Sequence, residues 1–173
     1  MLIDISDILK ESGLSKLVEL AAPVADCEVQ DPECEFGEPL TVAVELTNVK
    51  GLIRVKGHIA VAYTTYCARC LKPLRQTIEK DIEEEAVPIG SLSDEEVYYS
   101  YSGKELDLGL IVRDAILLDI PIRHLCNSDC KALCPKCGKD LNNGVCDCAA
   151  ESGGGLFDAL KGFVPEEKTG NDS

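Results

Sequence analysis

Tryptophan is absent from this chain, and phenylalanine and tyrosine number only three and five. Stacking of aromatic rings on nucleic-acid bases is therefore a poor candidate for its mode of recognition. Histidine is almost as scarce, with His58 and His124 alone. No nucleophile, general base and orienting acid can be nominated together, so the chain is read as a non-enzyme. Basic residues are in deficit, with 17 Lys and Arg against 31 Asp and Glu, for a formal charge of −14. Such a surface repels a phosphate backbone and attracts a basic partner, although acidity also serves solubility alone. Long apolar runs are missing too. The longest, Leu106 to Ile122, is interrupted by Asp107, Arg113, Asp114 and Asp119, so no membrane span is expected. The opening Met-Leu-Ile-Asp-Ile-Ser-Asp has acids where a secretory leader carries basic and apolar residues. The expected compartment is a reducing cytoplasm, where many cysteines imply metal or redox chemistry more than disulfides.

What is present in quantity is cysteine, ten in all. Eight fall at metal-ligand spacing: Cys67-Ala-Arg-Cys70, then Cys126 and Cys130, then Cys134-Pro-Lys-Cys137-Gly, then Cys146-Asp-Cys148. A tetrahedral zinc takes four thiolates, and two cysteines a few residues apart supply two corners from one turn. Two zinc ions account for all eight. Cys134, Cys137, Cys146 and Cys148 form the natural first set, because the loop between the pairs is too short to build a core. Cys67 and Cys70 with Cys126 and Cys130 form the second. A rival grouping joins Cys126, Cys130, Cys134 and Cys137. Cys27 and Cys34 have no useful spacing and read as core or surface thiols. His124, close to Cys126, is a secondary candidate ligand, whereas His58 lies on the polar face of a strand. Glu83-Glu84-Glu85 and Glu95-Glu96 read as solvated charge, and Gly153 to Gly155 lacks the flanks of a phosphate-binding loop.

The pattern along the chain predicts an α+β fold. The first twenty residues read as a short apolar strand and a helix ending before Pro23. Leu40, Val42, Val44 and Leu46 alternate with polar residues, as do Ile53, Val55, Ile59, Val61 and Tyr63, with Asn48-Val49-Lys50-Gly51 as the turn between them. Leu74, Ile78 and Ile82 mark a third strand. A short Tyr-rich strand is expected between Gly90 and Gly103. Asp107 caps a helix running to about Asp119, apolar around most of its circumference and so read as buried. The expectation is a small antiparallel sheet or partly open barrel with a buried helix (1–125) and a C-terminal zinc-knuckle appendage (126–150). A glycine linker, a short helix with the stripe Leu156, Phe157, Leu160, Phe163 and Val164, and a disordered tail complete the chain (151–173).

The β-rich first half with Cys-x-Arg-Cys-Leu-x-Pro (Cys67 to Pro73), the helix before Pro121, and Leu-Cys-x3-Cys-x2-Leu-Cys-Pro-x-Cys-Gly-x-x-Leu-Asn (Leu125 to Asn142) together resemble the bacterial YceD family. Gly153 to Gly155 departs from the Asp-Pro-Arg-like segment that often follows the last cysteines in that family. The resemblance implies a part in accumulation of large-subunit ribosomal RNA, hence ribosome assembly. The family's gene often neighbours that of a small basic large-subunit protein, and plastid relatives are linked to processing of the equivalent RNA. The implied partner is a basic large-subunit ribosomal protein or a pre-ribosomal particle, with direct RNA contact weak. Two other readings stand beside it. Cys67 and Cys70 suit a thiol redox module, though without a thioredoxin-like strand-to-helix context. Lys131, Lys136 and Lys139 suit an RNA-binding zinc knuckle.

Overall fold

The computed structural model describes residues 1–91 and 99–148. The chain forms two compact units, Met1–Cys130 and Lys131–Ser173. Among the described residues, eight strands and one α-helix make up the first. They are β1 (Leu2–Asp4), β2 (Ser15–Ala22), β3 (Glu35–Phe36), β4 (Leu40–Val49), β5 (Leu52–Tyr66), β6 (Pro73–Pro88), β7 (Tyr99–Ser102), β8 (Glu105–Asp107) and α1 (Leu108–Asp119). The strand order is β1-β8-β7-β6-β5-β4-β2, with β3 also paired to β5. The sheet curls into a half-barrel around a single helix.

Its central feature is the long antiparallel pairing of β5 with β6, in register from Ile53↔Ala86 to Tyr66↔Pro73. The period of two places Ile53, Val55, Ile59, Val61 and Tyr63 of β5, and Ile78, Ile82 and Ala86 of β6, on the buried concave face. Leu40, Val42, Val44 and Leu46 of β4 extend that face. The turn between β4 and β5 holds Lys50 at φ 55° and Gly51 at φ 94°, the two left-handed positions that a tight hairpin demands. Asn48 is buried beside it. Its amide donates to the carbonyls of Ile8 at 2.8 Å and Glu11 at 3.2 Å, and its Oδ1 accepts from the Gly51 amide at 2.8 Å. A buried side-chain amide fully satisfied in this way fixes the hairpin against the N-terminal segment.

Helix α1 is capped as expected, Asp107 Oδ1 accepting from the Gly109 amide at 2.9 Å. Leu108, Ile111, Val112 and Ile116 enter the core.

Three expectations are corrected. The helix expected before Pro23 is the strand β2, paired with β4 from Ser15↔Thr47 to Ala22↔Leu40. Ser-Lys-Leu-Val-Glu-Leu-Ala-Ala has good helix propensity, and pairing with an already buried strand overrides it. The sheet is not purely antiparallel, since β6 and β7 run parallel through Ala86↔Tyr99. Helix α1 is buried on a narrower face than its apolar circumference suggests: Leu110, Leu117 and Leu118 are exposed, Leu118 at 86%. The expected C-terminal linker and helix, and Glu95-Glu96, lie outside the described residues.

Gly57 lies on the concave parity of β5, opposite Val44 and Ile82. A Cβ there would overlap the carbonyl oxygen of Ala43 and press on the Cα of Val44. Both obstacles are backbone, so relief requires moving β4. Gly57→Ala is expected to lower stability by about 1–3 kcal/mol, the usual cost of overpacking a core. A urea titration checks this, the midpoint falling with an unchanged slope.

Candidate metal centres

Cys67 directly follows β5 and Cys70 lies three residues before the start of β6, so the long hairpin carries this pair at its tip. The turn between them is tightly bonded. The Cys67 amide donates to the Lys72 carbonyl and the Leu71 amide to the Cys67 carbonyl, both at 2.9 Å. Leu71 adopts the left-handed conformation at φ 58°.

After α1, the segment Ile120–Cys130 returns to this tip. The Ala68 amide donates to the His124 carbonyl at 2.8 Å, and Arg69 Nη1 to the Cys130 carbonyl at 2.9 Å. Cys126 and Cys130 thereby meet Cys67 and Cys70, with all four sulfurs within 4.8 Å of one another. The Cys67–Cys130 and Cys70–Cys126 sulfur separations are 3.8 Å and 3.6 Å. A disulfide would require about 2.05 Å. A tetrahedron with metal–sulfur bonds of about 2.3 Å has edges of about 3.8 Å. The four sulfurs thus fit a thiolate-bound metal ion.

The second unit presents the same turn again. In Cys134-Pro-Lys-Cys137-Gly-Lys139 the Cys134 amide donates to the Lys139 carbonyl and the Gly138 amide to the Cys134 carbonyl, both at 2.8 Å. Gly138 holds φ 73°, the place that Leu71 takes in the first turn. Cys134, Cys137, Cys146 and Cys148 bring their sulfurs within 4.8 Å of one another. Around them Asp140 Oδ1 accepts from the Asn142 amide at 2.9 Å, and Lys139 Nζ donates to the Val145 carbonyl at 2.8 Å. Apolar packing contributes little here. Among residues 131–148 only Cys134 is buried, and Val145 is 87% exposed. A segment with turns but no core is the type of structure that a metal holds.

Electrostatics separates the thiols within each cluster. Burial alone would raise Cys67, but amides of Cys70, Arg69 and Cys126 point at its sulfur and bring it down to about 6. One of these donors, the Cys126 amide, lies 3.4 Å away. Cys126 is pushed up to about 12 by burial and by the sulfurs of Cys130, Cys70 and Cys67. At Cys70, bonding from the Lys72 backbone pulls downward, but burial and the Cys67 and Cys130 sulfurs outweigh it and leave the thiol raised. The second cluster repeats the pattern. Cys134 is lowered to about 6 by the amides of Cys137 and Lys136, and Cys148 is raised to about 12 by the Cys137 sulfur and by burial. Each cluster thus sets a thiol favoured as the anion beside one favoured as the neutral form, and a cation bound among them would displace the remaining protons.

The structure therefore brings the eight spaced cysteines into two groups of four, and the rival grouping of Cys126, Cys130, Cys134 and Cys137 is not seen. His124 belongs to neither group. It is buried, with Nε2 3.7 Å from Cys34 Sγ, and its ring stands edge-on to Tyr63. Cys34 is raised to about 11, chiefly by burial and then by a hydrogen bond with Asp31. Cys27 is also buried. His58 is exposed and pairs with Asp81 at 3.0 Å. Sequence reasoning did not identify Arg69 as the clamp on Cys130, nor Leu71 as a left-handed residue. The signal was available in the repeated Cys-x-x-Cys-x-Lys at 67–72 and 134–139.

Comparison with known proteins follows this geometry. The model of the family described as large ribosomal RNA subunit accumulation protein YceD matches residues 55–164, well over half of the chain and inclusive of all eight clustered cysteines. The chain is 28% identical over 156 residues to the chloroplastic large ribosomal RNA subunit accumulation protein YCED homolog 1 of Zea mays, covering 72% of this chain and 53% of that protein. To the Arabidopsis thaliana protein of the same name it is 26% identical over 145 residues, covering 66% and 45%. An uncharacterized protein of Mycobacterium tuberculosis is 30% identical over 109 residues, covering 61% and 53%. The chain spans about half the length of the curated relatives it matches. No solved structure matches the chain significantly. Among the described residues no helix is long and apolar enough to cross a membrane.

The shared turn can be tested at its left-handed residue. A β-branched side chain at φ 73° is an outlier, so Gly138→Val is expected to weaken metal retention by the second cluster alone. Leu71→Gly relieves the same strain in the first turn and is expected to raise stability by up to about 1 kcal/mol with metal retention unchanged. Chelator competition with a colorimetric zinc reporter, run beside urea unfolding, measures both effects.

Proposed function

Because the chain belongs to the YceD family, we propose that it supports accumulation of large-subunit ribosomal RNA as a zinc-stabilised assembly factor that binds a basic ribosomal protein. The observation that carries this reading is the family match over residues 55–164, together with relatives named for that role. The metal assignment rests on chemistry. Four sulfurs with no oxygen or histidine donor suit zinc in a closed structural site, with no open position for a substrate. Cys67, Cys70, Cys126 and Cys130 would hold one ion, and Cys134, Cys137, Cys146 and Cys148 the other. Each tetrathiolate site adds a charge of roughly −2 to a chain already at −14. That balance favours a basic protein over naked RNA, despite Lys131, Lys136 and Lys139.

The redox reading finds less support. Cys67 has the depressed pKa of an attacking thiolate, but its side chain is fully buried and surrounded by three other sulfurs. Exchange needs an accessible sulfur.

Native mass spectrometry of protein purified without added metal is expected to show two zinc ions. Cys134→Ser and Cys70→Ser should each lose one. Full zinc content in both variants, or no metal in the parent, would reject the metal reading. The zinc-loaded protein should retain basic large-subunit proteins in a pull-down at low salt and release them at high salt, because screening shortens the reach of surface charge. Selective retention of ribosomal RNA with no protein partner would replace the proposal by the RNA-binding one.

A further inference from the structure

The strand β6 has two edges, and among the described residues only one is fully used. Along one side it pairs with β5 throughout. Along the other, β7 occupies only Ala86–Pro88. From Leu74 to Glu85 no backbone group on that second side has a partner among the described residues. This open edge is roughly 40 Å long at about 3.3 Å per residue. Proteins usually shorten, cover or charge such edges, because every second residue offers a free N–H and C=O to another chain.

The charges on this edge have a defined sign and register. On the convex face of β6 the successive positions are Glu79, Asp81, Glu83 and Glu85. On the β5 side, basic side chains already answer three of them in register: His58 to Asp81 at 3.0 Å, Lys56 to Glu83 at 3.3 Å and Arg54 to Glu85 at 3.3 Å. On the open side nothing answers them among the described residues. Lys80 and Glu84 have the other parity and lie on the opposite face of the strand, where Lys80 turns to Asp119 of α1 at 3.0 Å. A second copy of this strand would bring acid against acid, which opposes self-pairing. A strand carrying Lys or Arg at alternate positions would repeat on the open side what β5 does on the closed one.

We propose that the edge Leu74–Glu85 of β6 is a docking site for an extended, basic segment of a partner protein, added as a strand to the sheet. Backbone hydrogen bonds supply the pairing, and Glu79, Asp81, Glu83 and Glu85 select alternating cations. The basic character of the partner accords with the function proposed above and rests on that reading for its biological identity. The edge itself can be tested without it.

The probe is a synthetic twelve-residue peptide alternating lysine with threonine, fluorescently labelled, titrated against the full chain. A second peptide has the same sequence with every second backbone nitrogen methylated along one edge, prepared in both registers. Binding of the first is expected to slow amide hydrogen exchange within residues 74–85. Both methylation registers are tested because only one removes the donors that face β6, and that one should abolish binding. Asp81→Asn with Glu83→Gln keeps shape and removes charge, and is expected to weaken the peptide by about tenfold, near 1.4 kcal/mol. No binding, equal binding of both methylated peptides, or protection elsewhere would overturn the proposal. These outcomes are separable from the pull-down. Ribosomal proteins retained undiminished by the double variant would refute the edge but leave the function standing. Peptide docking with no ribosomal partner would do the reverse.

Discussion

The register of β5 against β6 is the constraint on which the first unit depends. Pairing from Ile53↔Ala86 to Tyr66↔Pro73 sets three things together. It sends Val55, Ile59, Val61, Ile78 and Ile82 to the concave face, it aligns Arg54, Lys56 and His58 with Glu85, Glu83 and Asp81 on the convex face, and it ends in the turn that holds Cys67 and Cys70. Because side chains alternate, a slip of one residue would invert the two faces. The exposed ion pairs contribute little energy singly, roughly 0–1 kcal/mol each. A two-residue slip would still set basic side chains against acids, because Glu79, Asp81, Glu83 and Glu85 all share the convex face of β6, so the ion pairs follow the register and do not choose it. Burial of the aliphatic side chains supplies the stabilisation.

The two clusters do different mechanical work. In the first, Cys70 and Cys126 are 56 residues apart in sequence, and the intervening chain includes β6, β7, β8 and α1. A metal bound there, treated as a cross-link closing so long a loop, would restrict the unfolded chain by about 4 kcal/mol. The native elements around it already bury a core, so the cluster fastens a fold that exists beside it. In the second, eight residues separate Cys137 from Cys146 and the same relation would give roughly 3 kcal/mol. Apolar burial there is nearly absent. The smaller entropic gain from a bound metal would therefore carry a larger share of the local structure there than in the first unit.

Much of this was legible in the sequence, for a physical reason that also explains the failures. Strands β4, β5 and β6 each have one face in the core and one in solvent, which writes a period of two into Leu40–Leu46, Ile53–Tyr63 and Leu74–Ile82. Asp107 announced α1 by cap chemistry. The cysteine pairs announced themselves because tight turns demand short spacing. β2 did not, because its alternation is blurred by Leu17, which is 66% exposed, and by helix-forming neighbours. The parallel pairing of β6 with β7 involves three residues of β6 and depends on where the chain returns, information that no local window contains. The exposure of Leu118 was hidden for the opposite reason. Apolar residues around most of α1 suggest burial of all but the side of Arg113 and Asp114, while the sheet covers a narrower face and leaves Leu118 exposed.

The buried pair Cys34 and His124 shows where spacing arguments end. The two residues are 90 positions apart, and no motif joins them. They meet because the turn of Cys67 takes the His124 carbonyl as an acceptor for Ala68, which fixes the backbone on which the imidazole is carried. Thr65, at the end of β5, donates from its hydroxyl to the Glu33 carbonyl at 2.8 Å and draws the Cys34 segment to the same place. Both contacts are consequences of where the hairpin tip lies. The cysteine turn thus organises more than its own four sulfurs. It determines which residues surround it, and a histidine close to Cys126 in sequence is directed away from the cluster because its carbonyl, not its ring, is the group that the turn requires.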